Sequence, residues 1–241
     1  MTKNDSALHE SMQTRTLANG LRICYLPKEG FSKTFAILAT DFGSVDASFT
    51  FEGKRYDTPA GVAHFLEHKM FEDEDGNALQ KFARTGASPN AFTSHTMTAY
   101  HFSCTDRFEE NLKILLKFVF TPYFTDENVD KERGIINQEI RMVEDTPNWE
   151  VFVGAYEGLY RNHPVRVSIP GSEESISHID TGAAVHLSPC VLQSEEHGTR
   201  GRGGTSGALR QVIGRKRMGQ REVICRSARN GRSLKDRSAS L

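Results

Sequence analysis

The stretch AHFLEHKMF, Ala63 to Phe71, sets two histidines four residues apart with a glutamate just ahead of the second. Pro59 and Gly61 mark a helix start immediately before it. On that helix His64 and His68 lie one turn apart on the same face, so both imidazoles can reach one ion. Glu67, three residues after His64, projects near that face, where a carboxylate can take a proton from metal-activated water. The same letters also read as a solvated helix face with two histidines and an acid, and a five-letter pattern alone does not choose between them.

A catalytic zinc site takes a third protein ligand and keeps a fourth position open. Candidates stand on a helix expected from Thr125 and Asp126 to about Glu144. Glu132 and Glu139 are seven apart, two helical turns, and share a face, with Ile135, Ile136 and Val143 close to that side. A carboxylate on a buried face wants a cation; the other reading is a charged helix surface beside Lys131, Arg133 and Arg141.

Around these two helices the punctuation predicts an α+β domain, mostly antiparallel sheet packed with several helices. LRICYLP and KTFAILATDFGS are rich in β-branched and aromatic residues and read as strands. NALQKFARTG reads as a helix ended by Gly86 in a left-handed cap. ASPNAFTSHT and MTAYHFSCT read as a half-buried hairpin, and DRFEENLKILLKFVFTP as a helix with Asp106 and Glu109 in a capping box and Pro122 as its stop. Pro147 breaks the chain before a further helix, NWEVFVGAYEGLYRN.

Charge divides the sequence. Met1 to Asp180 carries 18 Lys+Arg against 27 Asp+Glu, whereas Thr181 to Leu241 carries 12 against 4. All 15 Phe, all 6 Tyr and the single Trp149 precede Arg161, so the folded mass is expected in the N-terminal part. This gives a polar leader over 1–16, a domain over 17–180 and a basic, low-complexity, disordered tail over 181–241. A nucleic-acid role for that tail is disfavoured, because no aromatics are interleaved with its arginines for base stacking. The four cysteines form no C-x-x-C pair, the first twenty residues lack an apolar signal core, and no run is long enough to span a membrane. The expectation is a cytoplasmic protein without a membrane partner.

HFLEH followed 71 residues after His68 by Glu139 resembles the insulinase or pitrilysin type of zinc metallopeptidase, the inverzincins, whose signature is H-x-x-E-H and a later glutamate. KERGIINQEI resembles that family's second motif, and the likeness extends through GVAHFLEHKMFED, GASPNAFTSHTMTAYHFS, TPYFTDENVDKERGIINQEIRM and NHPVRVSIPGSEESISHI, roughly Leu17 to Ile179. It implies a LuxS/pitrilysin-like metallopeptidase domain incomplete at its C-terminal end. His64, His68 and Glu139 would hold Zn2+, Glu67 would be the general base, and Glu132 a catalytic-site carboxylate near the metal. Asn90, Ala91, Phe92 and Thr93 would form the edge strand to which a peptide substrate adds by main-chain hydrogen bonds, with Phe92 also readable as a core residue. His95 and His101 read as satisfied strand residues, not ligands. The resemblance also implies a second insulinase-like subunit or C-terminal half that encloses the peptide, so weak or absent activity is expected of this chain by itself. The other function class is a non-catalytic zinc- or peptide-binding subunit of a processing complex; the intact HFLEH and Glu139 argue against it.

After SISHI the resemblance stops. The family continues toward a motif of the form FYNPxNMxLVVxGD, whereas this chain reads DTGAAVHLSPCVLQSEEHGTRGRGG. Joining the last two bases of each codon to the first of the next allows VLQSEEHGTRGR to encode FYNPRNMALVV. A shift of reading frame near Ile179 or Asp180 accounts for both the lost motif and the change of composition. Sequencing the gene is expected to reveal a single-base insertion or deletion there whose repair restores the motif; no such base change would sink the idea.

Overall fold

A computed structural model describes residues 2–5, 10–17, 21–28, 30–51, 53–192 and 221–226. Its main sheet has seven strands: β1 (Thr2–Asp5), β2 (Glu10–Thr16), β3 (Arg22–Pro27), β4 (Thr34–Thr40), β9 (Ser88–Thr93), β10 (Thr98–Cys104) and β11 (Arg221–Arg226). They lie in the order β1-β2-β3-β11-β4-β10-β9, antiparallel at every step except the parallel pair β11–β4. Two small hairpins, β5 (Ser48–Phe51) with β6 (Lys54–Asp57) and β7 (Glu72–Asp73) with β8 (Gly76–Asn77), stand outside it.

The core lies between this sheet and three helices. β10 turns Tyr100, Phe102 and Cys104 inward, and the rings of Phe82 and Phe118 meet them, with Phe82 and Phe102 centroids 5.5 Å apart. Those partners come from α2 (Ala78–Thr85) and α3 (Phe108–Phe120). α2 ends as expected, in Gly86 at φ 73°. α3 does not start as expected: Arg107 at φ 51° precedes it without a side-chain cap, and the Asp106 carboxylate instead accepts from the Arg107 N–H at 2.7 Å. The acid sits one position too early to reach the N3 amide.

α1 (Val62–Lys69) is short and almost wholly buried, a consequence of the run Val62, Ala63, Phe65 and Leu66 wrapped around its polar positions. Gly61 opens it at φ 86°, and a Cβ there would come within 2.2 Å of Pro170 O, so the backbone approach fixes where the helix begins. α4 (Asp126–Glu144) crosses α1. Thr125 and Asn128 close a reciprocal capping box at its start, and Val129, Ile136 and Ile140 form its buried stripe. Ile135, expected on that side, is 43% exposed, because the stripe follows the i, i+3, i+4 rule from Val129 through Glu132 and leaves position 135 outside. α5 (Pro147–Leu159) has Pro at its first turn and no buried residue. A 3-10 turn (Pro164–Arg166) and α6 (Glu173–Ser177) follow.

Both ends depart from the expected division. The leader contains β1 and β2, paired antiparallel, because an exposed edge tolerates a polar strand that composition reads as loop. The basic tail contains α7 (Thr181–Leu192) and β11. Asp180 accepts the Ala183 N–H at 2.7 Å at the start of α7, and Ala184 and Leu187 are buried. Averaging charge over the whole tail concealed this apolar dodecamer. β11, with Val223 and Ile224 at its centre, pairs antiparallel with β3 and parallel with β4. The expectation of disorder over 193–220 and 227–241 lies outside the described residues.

Gly61→Ala is expected to lower stability by about 2 kcal/mol or more, since it combines a left-handed φ with a backbone clash. Thermal unfolding followed by circular dichroism checks this; an unchanged midpoint would remove Gly61 as the anchor of α1.

Candidate metal and peptide site

α1 and α4 bring together residues that are 71 apart in sequence. His64 Nε2 lies 3.6 Å from Glu139 Oε1, and His68 Nε2 lies 3.4 Å from Glu139 Oε2. The ligand atoms of the three residues fall within 4.8 Å of one another, and no other such group of His, Cys, Asp or Glu occurs among the described residues. Tetrahedral zinc with bonds of 2.0–2.2 Å keeps its ligand atoms about 3.3–3.6 Å apart. The observed separations fit that ion. Two nitrogen donors and one oxygen donor also match a three-ligand catalytic set.

Each histidine is prepared differently. His68 Nδ1 faces Glu132 Oε1 at 3.0 Å; with the N–H donated there, Nε2 is free to coordinate. Glu132 is buried on α4, two turns before Glu139. His64 lies deeper, its Nδ1 buried with no hydrogen-bond partner. Burial, reinforced by the neighbouring His68, pushes its pKa down to about 4, so at neutral pH the ring is an uncharged donor. Burial also works downward on His68, but the Glu132 hydrogen bond and the carboxylates of Glu139 and Glu67 outweigh it, and the ring titrates above the ordinary 6.5.

Glu67 sits beside the pair without joining it. Burial raises its pKa, while the Thr93 hydrogen bond and His68 pull the other way. Thr93 Oγ1 donates to Glu67 Oε2 at 2.9 Å. Thr98 Oγ1 donates to Phe42 O at 2.9 Å and lies farther from Thr93 Oγ1, at 3.5 Å, than the Glu67 carboxylate does. This contact was not legible in sequence: nothing in SPNAFT marks which strand residue meets a helix twenty-six positions earlier.

The remaining expected residues fall on β9, the outermost strand of the sheet. Asn90 and Phe92 point outward and Ala91 and Thr93 inward. Phe92 is 42% exposed and belongs to the open face, not the core, because the two-residue period puts Ala91 on the buried side. His101 is a strand residue, but His95 lies in the turn after β9, and neither is fully satisfied: His95 Nε2 and His101 Nδ1 are buried without partners. Lys69 was also missed. Completely buried, it pairs with Glu72, which accepts from Lys131 of α4 at 3.2 Å, so a second polar link ties the end of α1 to α4 beside the histidines.

Residues 50–173 match the family described as Insulinase (Peptidase family M16). A zinc protease of Bacillus subtilis named YmfH is 51% identical over 174 residues, which are 71% of this chain and 41% of that protein. The mitochondrial-processing peptidase subunit beta of Caenorhabditis elegans is 26% identical over 170 residues, 68% of this chain and 35% of that one. Among solved structures, an M16-like peptidase from Alicyclobacillus acidocaldarius superposes with a TM-score of 0.75 at 32% identity, covering 95% of this chain and 48% of its own. Pitrilysin shares the fold, with a TM-score of 0.65 at 16% identity, covering 97% of this chain and 22% of its own. The chain belongs to the insulinase family of peptidases. The matched residues make up 32–41% of the length of these curated relatives. No helix among the described residues is long and apolar enough to cross a membrane.

Because His68 must shed its proton to coordinate, zinc affinity should rise with pH through the range above 6.5, by up to about tenfold per unit, and uptake should release a proton. His64, already neutral there, adds nothing to that slope. Calorimetric titration in buffers of different ionisation enthalpy measures the release, and Glu132→Gln should reduce it. A flat affinity between pH 6 and 8 would contradict the assignment.

Proposed function

We propose that this chain carries the catalytic zinc site of a metalloendopeptidase acting on peptides in extended conformation. The single observation that carries the reading is the convergence of His64, His68 and Glu139 at coordination distance beside a separate buried carboxylate. Zinc, when bound, supplies Lewis acidity toward a peptide carbonyl and toward water. The protein groups do the rest. Glu67 is fixed at Oε2 by Thr93, which leaves Oε1 to accept a proton from water. Its raised pKa suits it to hold that proton and deliver it to the nitrogen of the departing amine. Glu132 keeps His68 in the tautomer that presents Nε2.

β9 supports the substrate half of the reading. Its free edge can accept a peptide as an eighth strand, with Asn90 to Thr93 offering the main-chain hydrogen bonds and Thr93 tying that strand to the base. A second insulinase-like half or subunit would close over the bound peptide, in keeping with a relative of which the matched residues make up only 41%.

Glu67→Gln is expected to retain zinc while losing at least about a hundredfold in peptide hydrolysis. Metal content and cleavage of a quenched fluorescent peptide should be measured on this chain and on one completed with the restored frame and second half. Equal hydrolysis by variant and parent would exclude Glu67 as the base.

A further inference from the structure

A second brace runs alongside the one that aligns His68. Lys69 follows His68 on α1, and Lys131 precedes Glu132 on α4. Between them stands Glu72, whose Oε2 accepts from Lys69 and whose Oε1 accepts from Lys131 at 3.2 Å. The two cross-links, His68–Glu132 and Lys69–Glu72–Lys131, therefore start one residue apart on both helices. One link between two helices is a pivot. Two side by side oppose rotation about it.

Glu72 is itself anchored. It opens the β7–β8 hairpin, in which three of four consecutive acids, Glu72, Asp73 and Asp75, take lysines from four different helices. Lys81 of α2 pairs with Asp73, and Lys117 of α3 donates to Asp75 Oδ2 at 3.1 Å. Just before the hairpin Phe71 lies stacked on Phe118 of α3, centroids 5.0 Å apart, and its carbonyl accepts the Ala78 N–H at 2.8 Å. Lys69 is wholly buried, where an aliphatic side chain would pack without the cost of taking an ammonium out of water. Such a pair adds little net stability; what it can fix is geometry.

We propose that Lys69 and Lys131, joined through Glu72, are positioning residues for the metal ligands: they fix the crossing of α1 and α4 and thereby the reach of Glu139 toward His64 and His68. The proposal rests on the zinc reading above. The lever is long. Glu139 lies seven residues beyond Glu132, about 10 Å along α4 at about 1.5 Å per residue. A turn of about 5° at the His68–Glu132 contact would carry it about 0.9 Å over that length, whereas zinc–ligand distances hold within about 0.2 Å. Apolar packing does not supply that precision, since ridge-into-groove contacts admit crossing angles scattered by about 15–20°. The polar brace supplies it, because any such turn would lengthen the hydrogen bonds on Glu72.

Lys69→Met together with Glu72→Gln removes both charges of the buried pair and keeps the side-chain lengths, so the metal-free protein should unfold within a few degrees of the parent. Its zinc affinity should nonetheless fall about tenfold or more. The visible absorption of bound Co2+ should change in position and intensity with the ligand geometry. Lys117→Gln, which cuts a pair on the same hairpin that reaches neither α1 nor α4, should bind zinc like the parent. Lys131→Met gives an independent measurement, because that side chain is 65% exposed and its loss spares the buried pair. Raising an inert salt from about 0.05 M to about 0.5 M should weaken zinc binding about two- to fivefold more in the parent than in Lys131→Met. Unchanged zinc affinity in the double variant, or an equal fall in Lys117→Gln, overturns the positioning role. Should the double variant not fold, equal salt dependence in Lys131→Met and the parent overturns it, and unequal dependence upholds it. A parent that takes up no zinc overturns it together with the proposed function. Zinc uptake that responds to the variants as stated, in a chain that cuts nothing, upholds the positioning role and counts only against the peptidase reading.

Discussion

The contact between α1 and α4 is what the site depends on, because neither helix alone holds three ligands. α1 supplies two imidazoles one turn apart, and α4 supplies a carboxylate whose two oxygens each face one Nε2 atom. Apolar packing sets the distance. Val129, Ile136 and Ile140 on α4 and Phe65 and Leu66 on α1 are buried, so the helices cannot slide without opening the core. Polar links set the rotation: His68 with Glu132, and Lys69 with Lys131 through Glu72. Those two links flank the ligands, one aligning the ring and the other closing the end of α1 onto α4.

Electrostatics explains why such a cluster tolerates burial. Glu67, Glu132 and Glu139 crowd two histidines at partial burial, and the carboxylates raise the His68 pKa against the effect of burial. His64, deeper and next to His68, yields its charge instead. A divalent ion held by His64, His68 and Glu139 would offset the excess negative charge, which is the condition under which buried carboxylates are retained. The buried Nδ1 of His64, lacking a partner, is the residual cost of this arrangement.

The sheet gives the site a direction. β10 pairs with β4 on one side and β9 on the other, and the Thr93 hydroxyl at the end of β9 reaches the Glu67 carboxylate on α1. β9 and the Glu67 carboxylate are therefore parts of one rigid unit. α5 extends that unit past the turn after β9, placing aromatic side chains beyond the end of the strand.

Much of this was legible in the sequence, for a physical reason. Helical period relates His64 to His68 and Glu132 to Glu139, and capping and proline punctuation located α2 and α4 within a residue or two and the start of α5 to a residue. Local chemistry sufficed because the interactions are local. The family resemblance supplied the link between the two motifs, which spacing could not. Only tertiary structure decided that Ile135 faces outward and Phe92 lies on the open face, that Asp106 caps nothing, and that Thr93 holds Glu67. It also placed β1, β2, α7 and β11 where composition predicted none. Those outcomes depend on which surfaces meet across long stretches of chain: a polar edge strand or a short apolar helix in a basic tail is stabilised by its neighbours, and its own residues carry too little signal to announce it.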